Sequence, residues 1–367
     1  AVIGDAELHA AVTAVIERVG PDTTTPATTT PATTTPATTI DTGVWAALTD
    51  AGFTGVGIDE DLGGTGGEFT DALTVVSAAA ASGALTPLIE HTVLAAWLAA
   101  RSGLDLGGRT ATLALGGEGA TVRSTDEGWV LDGLLPGVVH ACDADVLVVH
   151  FASSVALVSR TAPGLTLYHG TDLLGASVDD VALDAVVVEQ LTDSPVDSAE
   201  LRLRGALAYA VAMSACADTI VETTVRHASQ RTQFGRPLSK FQAIQQRLAS
   251  MAALTAQTRA AVEHAVEMAE NPDHGGTIAA AKVVASSTAR EAAAGAHQIH
   301  GAIGFTSEHH LGRFTMALLA WRDRHGDEKY WSRVLAGRAL DDGIDPWDLV
   351  VDADHAPPRA TPGAANL

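Results

Sequence analysis

The sequence predicts an α+β chain in three parts. An N-terminal α-helical domain covers residues 1–108, a middle antiparallel β domain covers 109–196, and a C-terminal four-helix bundle covers 197–341, followed by a tail at 342–367. Three observations predict this. Apolar residues recur at helical spacing as far as Ser102. From Thr110 the pattern shortens to Val- and Leu-rich runs divided by turn residues. Helical spacing returns at Ser198 and holds to Asp341.

Leu8, Val12, Val15, Ile16 and Val19 share one face of a first helix, with Asp5 as its N-cap. Pro21 to Thr39 repeats close to Pro-Ala-Thr-Thr-Thr and reads as an extended, looped-out linker, because Pro fixes φ and Thr is a poor helix former. Helices follow at about 41–51, 70–82 and 85–102. The glycine cluster Gly63–Gly67 makes a tight loop and lacks the strand context of a dinucleotide fingerprint. About eight short strands are expected at 111–115, 121–124, 129–131, 138–139, 145–150, 155–158, 165–168 and 181–190. The bundle helices are expected at 199–230, 239–270, 277–300 and 307–339, broken by clustered Pro and Gly.

With 22 Lys+Arg against 44 Asp+Glu, the net charge of −22 argues against nucleic acid or an anionic membrane as partner. Apolar runs such as Val75–Leu98 are interrupted by polar residues and are too short for a membrane span, so the chain reads as cytoplasmic. Cys142 and Cys216 lack metal-type spacing and read as inert buried thiols.

Arg231 to Gln242 joins two long helices. Arg231 can hold a pyrophosphate, Gln233 and Gln242 can reach ring nitrogens or ribose hydroxyls, and Phe234 and Phe241 can flank a ring. On residue types alone a plain helix–helix turn reads equally well. A second joint, Gln298 to Thr306, places an amide beside Gly301 and Gly304, which allow close backbone approach. The histidine pairs here read as structural, because adjacent residues on a helix point apart and no carboxylate sits in the turn of His297 and His300. In Trp321 to Trp331, His325, Asp327 and Glu328 are weak candidates for a base; a solvated helix face with both indoles packed inward is the favoured reading.

In order and motifs the chain resembles the acyl-CoA dehydrogenase family. Arg231–Gln242 matches its R-x-x-F-G-x-x-[IL]-x-x-x-Q motif, and Gln298–Thr306 resembles its Q-x-x-G-G-x-G-[YF]-T segment, with Ala302 in place of the second Gly. The resemblance implies that Arg231, Gln233, Phe234, Gln242, Gln298 and Gly301 reach the pyrophosphate and adenosine of a neighbouring subunit's FAD. It also implies oxidation of an acyl-CoA to its trans-2-enoyl-CoA, with an electron-transfer flavoprotein as acceptor.

The departures narrow this. The family's T-E-P-x-A-G-S-D stretch is Leu113–Ala120 here, and its W-I-[TS]-N strand is Gly137–Ala141, so the residues that seat a flavin ring are missing. The family's catalytic Glu aligns with His325–Asp327, or, in members that carry it on an earlier helix, near Gly205. The expectation is therefore a non-catalytic subunit, like that of the α2β2 acyl-CoA dehydrogenases of bacterial steroid catabolism. A homologous catalytic subunit would be its partner and a bulky steroid side-chain thioester the substrate. Arg202 and Arg204 are expected to be surface residues.

Overall fold

The computed structural model describes residues 4–21, 40–117, 119–126, 128–151, 153–271, 275–306 and 309–340. The Thr/Pro-rich linker and the tail from 341 lie outside the described residues.

The first part is helical. Asp5 caps α1 (Ala6–Val19), its carboxylate accepting from the Glu7 and Leu8 N–H groups at 2.7 and 2.9 Å. Val12 and Ile16 then face inward against α2 (Thr42–Asp50) and α3 (Phe69–Ser82). The expected helix at 85–102 is divided: Ile89–Ala96 is π-helical and α4 (Trp97–Arg101) continues it. Such a wide segment is uncommon and clusters at functional sites; it turns Glu90 into the interior, 4% exposed.

Eight strands follow: β1 (Ala111–Leu115), β2 (Ala120–Thr125), β3 (Gly128–Val139), β4 (Val146–Phe151), β5 (Ser154–Ser159), β6 (Leu165–Tyr168), β7 (Val178–Val187) and β8 (Gln190–Asp193). They form two four-stranded sheets, ordered β1-β4-β5-β8 and β2-β3-β7-β6. The two expected pieces at 129–131 and 138–139 are one irregular strand, and 181–190 divides into two. The middle part is not purely antiparallel, since β1 and β4 pair in parallel. Period-two alternation assigns the first sheet to two cores: Val146 and Val148 face the helices, while Leu147 and Val149 face Leu131, Leu135 and Val181 of the second sheet.

The last part is the bundle: α5 (Ser198–Gln230), a hairpin of β9 (Thr232–Gln233) and β10 (Arg236–Pro237), α6 (Gln242–Glu267), α7 (Gly275–His300), α8 (Leu311–Trp321) and α9 (Glu328–Leu340). The expected fourth helix is broken between 322 and 327, where His325 (φ 52) and Gly326 (φ 104) are left-handed. Arg313 of α8 ties the first part to the last: it pairs with Asp41 and donates to Gly83 O at 2.6 Å. Of the described helices only α5 is long and apolar enough to cross a membrane, and 78% of that stretch is buried within the protein. Cys216 is buried and donates to Phe314 O, whereas Cys142 is only half-buried.

Candidate functional site

Two places in the fold gather chemistry-bearing residues. At the first, α5 ends and Arg231 turns extended (φ −74, ψ 119) while its N–H still donates to His227 O at 2.9 Å. The joint is a β-hairpin rather than a plain helix–helix turn. Phe234 (φ 51) and Gly235 (φ 76) form its two-residue loop, the left-handed pair that a tight hairpin requires. Phe is a costly residue in that region, and its ring stands 91% exposed. Phe234 meets Phe241 edge-on at 6.3 Å, and the Arg236 guanidinium lies 4.1 Å over Phe241. Gln242 opens α6. Arg231, Gln233, Phe234 and Gln242 are all exposed.

Gln298 is exposed on the last turn of α7, and Gly301 (φ 66) starts the 3-10 turn Gly301–Phe305. His227 stacks on His300 at 4.2 Å, which brings the ends of α5 and α7, and so both joints, to one end of the bundle. An open hollow of about 570 Å³ runs along Arg290, His297, Gln298, Gly301, Ala302 and Phe305. Among the described residues, His297 Nδ1 and His300 Nε2 are buried here without a partner. An exposed guanidinium, side-chain amides, a left-handed glycine and open rings suit an anionic dinucleotide end.

The second place is a cavity of about 270 Å³ between the π-helical segment, the end of β1, Pro136–Val139 and the turn Asp323–Gly326. Gly205 and His325, the two positions tied to a proton-abstracting carboxylate, are neighbours here. A Cβ at 205 would sit 2.5 Å from the His325 ring. That ring stacks on Tyr209 at 5.9 Å. Burial first, then the cations Arg202, Lys282 and Arg324, pull the imidazole down to about 3, so it is neutral at pH 7. The Tyr209 phenol donates to the Glu90 carboxylate, and burial raises that phenol well above its usual range. Arg324 pairs with Asp172 at 2.9 Å.

The turn itself hangs on Lys282, which is buried. Its ammonium donates to Arg322 O at 2.7 Å and to Trp321 O and Ser286 Oγ at 3.3 Å. Burial lowers it to about 7. Asp327 and Glu328 do not line the cavity: Asp327 caps α9 through the Tyr330 N–H at 2.8 Å, and Glu328 pairs with Arg322. Arg204 is not a surface residue. It lies between the Phe69 and Trp97 rings, 3.7 and 3.9 Å away, and burial lowers it to about 9. On the sheet side the walls are Leu113–Leu115 and Pro136–Val139, and the nearby Thr112 hydroxyl is already engaged by Val139 O at 2.6 Å. These walls offer a flavin ring no side-chain hydroxyl and no indole. The dinucleotide end of the cofactor fits the first place, and the ring does not fit the second.

The model for the N-terminal domain of acyl-CoA dehydrogenases matches residues 24–105, and that for the C-terminal domain matches residues 202–339. Acyl-CoA dehydrogenase IpdE2 of Mycobacterium tuberculosis is 29% identical over 274 residues, covering 74% of this chain and 78% of the relative. In fold, the chain is similar to a chain of the ChsE4–ChsE5 complex of Mycobacterium tuberculosis (TM-score 0.78, 22% identity, 91% of this chain and 96% of that one). It is equally similar to a variant of the Tcur3481–Tcur3483 steroid ACAD (TM-score 0.78, 22% identity, 91% and 97%).

Proposed function

The chain belongs to the acyl-CoA dehydrogenase family, whose members use FAD, and we propose that it is the non-catalytic subunit of a heteromeric member. In this reading Arg231, Gln233, Phe234, Gln242, Gln298 and Gly301 grip the pyrophosphate and adenosine of an FAD whose ring lies in a homologous catalytic subunit. The complex oxidises an acyl-CoA to its trans-2-enoyl-CoA and passes electrons to an electron-transfer flavoprotein. FAD, when bound, supplies the two-electron acceptor. This chain's part is to hold and orient the dinucleotide end with a fixed cation and directed amides.

The observation that carries the reading is the contact between Gly205 and His325. Removing an α proton needs a carboxylate held dry beside the thioester. An imidazole near 3 is a feeble base at pH 7. The complex named for ChsE4–ChsE5 and the steroid ACAD of similar fold support a heteromer and a bulky steroid side-chain thioester as substrate class.

One observation favours a second reading, in which the chain turns over acyl-CoA alone. Glu90 is a buried carboxylate that lines the central cavity. The two readings part in one experiment: express the chain alone and with a homologous subunit, then measure flavin absorbance and native mass. The first reading expects a colourless lone chain and one flavin per heterodimer. A yellow lone chain that bleaches with acyl-CoA, and stops doing so as Glu90→Gln, supports the second.

A further inference from the structure

Five imidazoles gather where the two joints meet: His227 near the end of α5, His297 and His300 in the last turn of α7, and His309 and His310 just before α8. They form a row. His227 stacks on His300 at 4.2 Å and 25°, His300 meets His309 at 5.1 Å, and His309 stacks on His310 at 4.7 Å and 16°. His297 stacks on Phe305 at 4.3 Å. The row is tied into both joints. His227 O accepts the Arg231 N–H, and His297 and His300 flank Gln298, with Gly301 next in the chain. His300 Nδ1 pairs with Ala296 O at 2.9 Å, and His297 Nε2 with Thr315 Oγ1 at 2.9 Å. Their other ring nitrogens are buried with no partner among the described residues.

We propose that the stacked pair His227–His300 is the positioning element that sets Arg231 against Gln298, and that acid opens the clasp by charging this row. The proposal rests on reading the two joints as a flavin clasp. Neutral imidazoles stack face to face; two imidazolium rings at that distance repel. The described charges around the row do not relieve this. Arg226 on α5 and Arg231 just beyond it add positive charge, Glu222 pairs with Arg226, and Arg313 of α8 is held by Asp41. Glu308 lies outside the described residues. Burial, and for four of the five a neighbouring cation or imidazole as well, lowers every ring in the row, His300 to about 4. The folded row therefore gives up protons that the unfolded chain would bind below about pH 6.5. Its stability is whole above that pH and is lost as pH falls toward about 4.

The test uses the complex and its own flavin. Release of FAD is followed by its fluorescence from about pH 7.5 to about pH 3 for the unaltered complex, His227→Phe and His300→Phe. Phe keeps the stack and cannot titrate. His227 is half-exposed, so its exchange leaves the bundle core packed even where His300→Phe disturbs it. The unaltered complex should release flavin with a midpoint between about 4 and 6.5, and each variant should move it down by about half a unit or more. Arg231→Ala at neutral pH is the control for the clasp. Release that depends on Arg231 but keeps its acid midpoint in both histidine variants overturns this proposal alone. Flavin content indifferent to Arg231 overturns the clasp reading, and this proposal with it.

Discussion

At the joints near Arg231 and Gln298 the polar groups are turned outward, whereas around the central cavity they are turned on one another. Arg231, Gln233, Gln242 and Gln298 are exposed, and the Phe234 ring is held out on a left-handed backbone. Around the cavity, Tyr209 donates to Glu90, Arg324 pairs with Asp172 although its Nε is buried without a partner among the described residues, and Lys282 is engaged by the carbonyls that end α8. A site that acts across an interface must keep its donors free in the isolated chain. A pocket whose polar groups face one another settles most of them internally, as folding stability demands.

The contrast can be broken by changing either side. The largest effect is expected at Gly205. Gly205→Leu drives a side chain into the His325 ring and should lower stability by about 3 kcal/mol, read from chemical denaturation; His325→Gly in the same chain should restore much of it. If Gly205→Leu alone is harmless, the cavity is looser than its contacts imply. Tyr209→Phe leaves Glu90 buried without its donor, at a cost of about 2 kcal/mol, measured the same way.

Lys282→Met probes the cavity side through pH. The lysine is depressed to about 7, below its unfolded value, so the unfolded chain binds more protons than the folded one between about 7 and 10.5. Stability should rise with pH across that window in the unaltered chain, and the rise should flatten in the variant. A slope unchanged by the substitution would remove Lys282 as its cause. Asp327→Ala should cost about 1 kcal/mol through loss of the α9 cap. The smallest effect is expected on the clasp side. Phe234→Gly relieves the left-handed backbone and should stabilise the lone chain by about 0.5 kcal/mol while weakening flavin retention in the complex.

Much of this division was legible in the sequence. The order of parts and most helix bounds followed from periodicity and from Gly and Pro, and the composition of Arg231–Gln242 marked the outward joint. The hairpin there was not legible, because Phe is an unusual first residue for a left-handed turn. Parallel pairing of β1 with β4 depends on contacts between residues distant in sequence, which local patterns do not carry. The break at 322–327 was masked by charged residues that read as a helix face, although His325-Gly326 was the signal for it. Glu90 was visible as a lone acid in the apolar run Val75–Leu98 and was read there only as an interruption. Nothing in the pattern of α7 sets Lys282 apart from a surface lysine, since its carbonyl partners come from another helix.

In the function proposed for it, this chain acts on a flavin seated in another. Arg231→Ala, made in this chain alone and assembled with a homologous catalytic subunit, tests it through the flavin dissociation constant of the complex. Losing the charge-assisted contact to the pyrophosphate should weaken binding by on the order of 2–3 kcal/mol, roughly 30- to 150-fold, with native mass unchanged. A dissociation constant that does not move would contradict the claim.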